Sequence, residues 1–135
     1  MVNVEYALME DFIKISVSGH AGYAEKGKDI VCAGVSALTR ALQEYIEKTV
    51  ELWDAQFISK SIRDGFMSFS IEGIKDDSLY SNVLNTVFMC ILGLEAIEEQ
   101  YPDYIKIADI SFLYEDSDID TPEQTESNKE KEEQA

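Results

Sequence analysis

The chain of 135 residues carries one histidine and two cysteines. The histidine and one cysteine fall in a single short stretch, Gly19-His20-Ala21-Gly22 followed by Asp29-Ile30-Val31-Cys32-Ala33-Gly34-Val35-Ser36. A thiol in the first turn of a helix sits at the positive end of the macrodipole, among backbone N–H groups that lack an intrahelical partner. Both features favour thiolate over thiol, and the thiolate is the nucleophile. An imidazole within reach takes the thiol proton and later returns it to a leaving group. His20 is the only histidine, so any such imidazole is this one. The helix-start amides around residues 31–33 are the candidates for holding an oxyanion.

Each of these residues has a plainer reading as well. Cys32 also reads as a small hydrophobe packed in a core, and His20 as a loop histidine in solvent. Asp29 either orients His20 or caps the helix that follows it. Ser36 lies one helical turn beyond Cys32, on the same face. It either hydrogen-bonds the thiolate or the substrate, or it simply permits close packing. Cys90, set among Val87, Phe88, Ile91 and Leu94 at helical spacing, reads as a buried structural thiol. No Gly-x-Ser-x-Gly elbow offers a serine alternative. Asp76-Asp77 reads as a helix cap, and Glu95, Glu98 and Glu99 as a solvated helix face.

The elements around the stretch follow from periodicity. Val2, Val4, Tyr6 and Leu8 alternate, as do Ile13, Ile15 and Val17, which gives a β-hairpin turning at Glu10-Asp11. The second strand runs directly into Gly19-His20. Residues 19–30 are glycine-rich and lack a hydrophobic period, so they read as a mobile surface loop. A helix follows to about Val50, with Val35, Leu38, Leu42, Tyr45, Ile46 and Thr49 on one face. Phe57–Ser59 and Phe66–Ile71 read as strands joined through the hairpin signal Asp64-Gly65. Asp76-Asp77-Ser78 starts a second helix with a stripe from Leu79 to Ile97, closed by Pro102. A last strand is expected over about Tyr104–Leu113, with a break near Ala108-Asp109. The order ββαββαβ favours an α+β fold of two layers, two helices on a mostly antiparallel sheet. The aromatic residues Tyr6, Phe57, Phe66, Phe69 and Phe88 read as core.

Much of the net charge of −16 sits at one end, where residues 115–135 hold nine carboxylates against two lysines. The expected organisation is a folded domain over 1–114 and a disordered acidic tail over 115–135, too poor in apolar surface to order itself. With no basic patch, direct nucleic-acid binding is not expected. A basic partner is electrostatically easier. Two cysteines without ligand or disulfide spacing point to a reducing compartment and away from a zinc site. The first residues lack the pattern of a signal peptide, and no run approaches bilayer-spanning length, so a cytoplasmic location is expected.

From Gly19 to Leu38 the glycines, His20, Asp29-Ile30-Val31-Cys32 and Ser36 resemble, in type and spacing, the signature of the bacterial ribosomal-processing cysteine protease family. The resemblance extends over about residues 2–113. It implies a cysteine endopeptidase that removes a short N-terminal extension from a large-subunit ribosomal protein precursor, and that also cuts phage capsid or scaffold proteins carrying a similar site. Cys32 would then be the nucleophile and His20 the general base. Gly19 would be the hinge of a loop, about 20–30, that covers the site, with Asp29 and Ser36 in support. It further implies a homodimer and no metal or organic cofactor. Gly34 departs from the alanine expected of the family, and the acidic tail lies outside the resemblance. The rival reading is a non-catalytic ribosome- or peptide-binding module on the same fold.

Overall fold

The alternation at the start of the chain builds the first hairpin. Strand β1 (Val2–Leu8) buries Val2 and Val4, and β2 (Phe12–Ser18) buries Ile13, Ile15 and Val17. They pair antiparallel from Asn3 against Ser18 to Leu8 against Ile13. The computed structural model describes residues 1–50, 53 and 57–119, with the last four of these as backbone only. The expected acidic tail beyond Ile119 lies outside the described residues.

Strands β3 (Ile58–Arg63) and β4 (Phe66–Glu72) form the second hairpin, turned at Asp64-Gly65 with Gly65 at φ +70°. β4 pairs antiparallel with β2, which aligns Ile15 with Phe69 and Ile13 with Ile71 on one face of the sheet. The fifth strand, β5 (Ile105–Asp109), pairs parallel with β1. The sheet order is therefore β3-β4-β2-β1-β5, three antiparallel pairings and one parallel edge. The mixed α+β architecture matches the expected class.

Two helices cover the apolar face. Helix α1 (Ile30–Tyr45) continues as a π-helical turn over Ile46–Val50. Helix α2 (Asp77–Gln100) starts at Asp76, whose Oδ1 accepts the Leu79 N–H at 2.9 Å. Val31, Val35, Leu42 and Ile46 from the first helical stretch meet Val83, Val87, Ile91 and Leu94 of α2 and the inward strand residues in one buried cluster. Glycines set the spacing between the helices. A Cβ on Gly93 would lie 2.9 Å from both Leu38 methyls, and one on Gly34 would lie 3.1 Å from Ile97 Cδ1. The departure at Gly34 thus has a packing reason.

Three expectations are corrected. The final strand stops at Asp109 rather than Leu113. Asp109 Oδ1 accepts the Ser111 N–H at 2.9 Å, and this local turn competes with strand extension. The chain then forms helix α3 (Phe112–Ile119). Phe88 is not core. Together with Met89 and Leu92 it is 46–68% exposed on the outer face of α2, because the buried stripe of that helix runs through Val87, Cys90, Ile91 and Leu94. Finally, α2 is long and apolar enough to span a membrane by length and composition. Its buried face packs on the sheet, which is how the core helix of a folded domain meets the same criteria.

Candidate active site

The site forms where the exit of β2, the loop 19–29, the start of α1 and the β3–β4 turn converge. Asp29 organises it. With extended backbone (φ −85°, ψ 101°) it caps α1, and its Oδ1 accepts the Cys32 N–H at 2.9 Å. Its other oxygen, Oδ2, reaches back into the loop and accepts Tyr23 N–H at 2.9 Å and Ala24 N–H at 3.3 Å. One buried carboxylate therefore ties the loop to the helix. The Cys32 N–H above all, then those of Ala24, Tyr23 and Val31, holds the Asp29 carboxyl below the usual carboxylate range, although burial acts in the opposite direction. Of the two roles open to Asp29, the structure shows capping, and no hydrogen bond joins it to His20.

This cap alters the oxyanion expectation. Cys32 N–H is donated to the Asp29 carboxylate and Ala33 N–H to the Asp29 carbonyl at 3.0 Å. The Cys32 and Ala33 amides thus already have partners at the cap, so they are not free donors for a substrate oxygen.

Gly19 has φ +94°, and a side chain there would run into the Met1 carbonyl. Only glycine fits, and its N–H donates to the Gly65 carbonyl at 2.9 Å. The strand exit is thereby fastened to the tip of the second hairpin. His20 is exposed, and its ring lies against Gly65: a Cβ on Gly65 would come within 2.8 Å of His20 Nε2. The next residue, Ala21, turns inward and is buried. Its N–H donates to Cys32 Sγ at 3.2 Å. Cys32 itself is half-buried.

His20, Cys32, Gly19, Asp29 and Ser36 all line one cavity of about 920 Å³. Val17, Val35 and Met67 supply apolar wall, and Arg40, Arg63 and Asp64 stand among the polar residues around it. The cavity is within the range of small-molecule and peptide-side-chain sites. His20 makes no hydrogen bond to Cys32 in this structure. Ser36 is exposed, one turn beyond Cys32, and its side chain makes no hydrogen bond. The loop is pinned at its middle, where the Tyr23 ring packs edge-on against Tyr101 at 5.5 Å and Tyr104 at 5.2 Å. Cys90 is buried at the α1–α2 contact, and burial pushes its thiol up to about 11. Among the described residues no cluster of three or more His, Cys, Asp or Glu could hold a metal ion.

Sequence reasoning missed Ala21 and Gly65. The Asp64-Gly65 pair announced a turn, but nothing local says that the turn meets His20. The Ala21–Cys32 contact likewise depends on how the loop closes.

Comparison with known proteins bears on the family and the fold. A family model described as cysteine protease Prp matches residues 1–106. A ribosomal processing cysteine protease Prp from Mycoplasma pneumoniae is 29% identical over 96 residues, covering 71% of this chain and 86% of that protein. The crystal structure of an essential ribosomal processing protease Prp from S. aureus, in complex with a covalently linked product peptide, superposes with a TM-score of 0.63 at 23% identity. It covers 81% of this chain and 99% of that one. The same protease with a substrate peptide gives a TM-score of 0.57 at 22% identity over the same shares. At these identities the structural likeness supports the fold.

Proposed function

This chain belongs to the cysteine protease Prp family, and on that premise we propose that it is a Cys–His endopeptidase acting on a ribosomal-protein precursor. The substrate is the N-terminal extension of a large-subunit ribosomal protein, with phage capsid or scaffold proteins that carry a similar site as further substrates. The observation that carries the reading is the convergence of Cys32, at a capped helix start, with His20 across one cavity of peptide-accommodating size. The Prp structures from S. aureus hold a substrate peptide and a covalently linked product peptide, in keeping with it.

In the reaction His20 takes the Cys32 thiol proton and the thiolate attacks the scissile carbonyl. The tetrahedral adduct collapses with proton transfer from the imidazole to the leaving amine. Water, activated by the same imidazole, then hydrolyses the thioester. Gly19 gives the strand exit a conformation that no other residue can take, and the loop it begins must admit the peptide. Asp29 holds that loop and the nucleophile's helix in one frame. Ser36 stands beside the thiol as a hydrogen-bonding group for the peptide. The enzyme works in the cytoplasm as a homodimer, and the exposed Phe88, Met89 and Leu92 of α2 offer an apolar surface for the second copy.

The lack of a hydrogen bond between His20 and Cys32 favours a second reading, a peptide-binding module without turnover. Catalytic contacts are often long without substrate and tighten in the Michaelis complex. The readings separate when a peptide spanning the precursor junction is incubated with wild type, Cys32→Ala and His20→Ala, and the products are weighed. Cutting by wild type alone supports the protease. Binding without cutting by all three supports the module.

A further inference from the structure

A cysteine protease needs hydrogen-bond donors where the carbonyl oxygen becomes an anion. The usual place to look is the start of the nucleophile's helix, but here two of its amides already have partners. Cys32 N–H binds Asp29 Oδ1 and Ala33 N–H binds the Asp29 carbonyl. One backbone donor is aimed at the sulfur instead, the Ala21 N–H, 3.2 Å from Cys32 Sγ. Ala21 is 4% exposed, so its N–H is not free to exchange this partner for bulk water.

We infer that the Ala21 N–H is an oxyanion donor of this enzyme. The inference rests on the cysteine-protease reading above. As Cys32 attacks, a sulfur lone pair forms the S–C bond and the C=O π pair moves onto oxygen. The sulfur becomes a neutral thioether and a poor acceptor, while the oxygen gains the negative charge. That oxygen is two bonds from the sulfur, so a donor at hydrogen-bond distance from one reaches the other. The N–H follows the charge with little motion. On collapse the C=O re-forms, the C–N bond breaks, and the amine leaves with the proton that His20 had taken from Cys32. Because the donor is the residue next to the base, the Gly19–Gly65 hydrogen bond that seats His20 also seats the oxyanion donor.

The test replaces one atom. Residues 1–31 are synthesised as a thioester with lactate in place of Ala21, so that an ester oxygen replaces the N–H. This segment is ligated at Cys32 to residues 32–135, and the all-amide chain is assembled the same way. The ester chain is expected to lose about 100-fold in kcat with KM little changed. It should lose a similar factor in affinity for the junction peptide ending in an aldehyde, which forms a hemithioacetal on Cys32, but none for the matching alcohol. A kcat within twofold of the all-amide chain, with equal aldehyde affinity, overturns the inference and leaves the protease reading intact. An all-amide chain that neither cuts the peptide nor captures the aldehyde overturns both. A measurement on the unmodified protein stands beside these, independent of how the ester chain folds. The Ala21 amide proton should move downfield on hemithioacetal formation while those of Cys32 and Ala33 hold still, and the opposite pattern overturns the inference.

Discussion

Replacing Gly65 with alanine tests whether the β3–β4 turn seats the general base. Two effects are expected. Gly65 has φ +70°, a conformation that costs an alanine roughly 1–2 kcal/mol. In addition, the new Cβ would lie 2.8 Å from His20 Nε2, and ordinary contact begins at 3.4 Å, so the ring must retreat by about 0.6 Å. Misplacing a catalytic group by about 1 Å can cost on the order of 100-fold, so a loss of about tenfold or more in kcat is expected. Gly22 provides the control. It has the same φ of +70°, but a Cβ there meets nothing within 4 Å. Gly22→Ala should therefore destabilise to a similar degree with a much smaller loss of rate. Melting temperature and single-turnover cleavage of the junction peptide, measured on both variants, separate strain from displacement. Equal cleavage rates in the two variants, at matched stability, would refute the idea that the bare Cα of Gly65 seats His20.

Other consequences are simpler to read. Cys90, at 5% exposure, should resist iodoacetamide in the native protein while Cys32 is alkylated, and Cys90→Ala should keep cleavage. Peptide mapping after labelling decides this. The folded Asp29 carboxyl titrates below the ordinary 3.8, so its contribution to stability is present above that pH and lost as the pH falls through the lower folded value. Melting curves of Asp29→Asn should accordingly lose part of the acid-induced drop that wild type shows below about pH 4. Leu94, fully buried where α2 meets the sheet, should cost about 2–5 kcal/mol when cut to alanine, as read by denaturant unfolding.

What the sequence made legible was local chemistry. Asp29 and Asp76 announced both helix starts, the Val/Ile alternation gave the first hairpin, and Asp64-Gly65 gave the second turn. Cys90 amid apolar neighbours was readable as buried. The contacts that define the site were less so, because they join distant segments. Ala21 meets Cys32 through loop closure, and Gly65 meets His20 across two hairpins. The parallel pairing of β5 with β1 is equally non-local. Phe112 and Leu113 look like strand residues, and the turn that diverts them depends on one Asp109 side chain. Phe88 fits the apolar stripe by spacing, yet the buried arc of α2 passes beside it. Helical spacing marks a face without fixing its edges.

The proposed chemistry makes Cys32 the nucleophile and His20 its base. It is tested most directly by rapid quenching of the enzyme with the precursor-junction peptide, followed by mass mapping of the trapped protein. An acyl group is expected on Cys32 in wild type and none in Cys32→Ala. In His20→Ala acylation should be slowed about 100-fold or more, as removal of a general base requires. Peptide cleavage that persists in Cys32→Ala, or an acyl group mapped to Cys90, would contradict it.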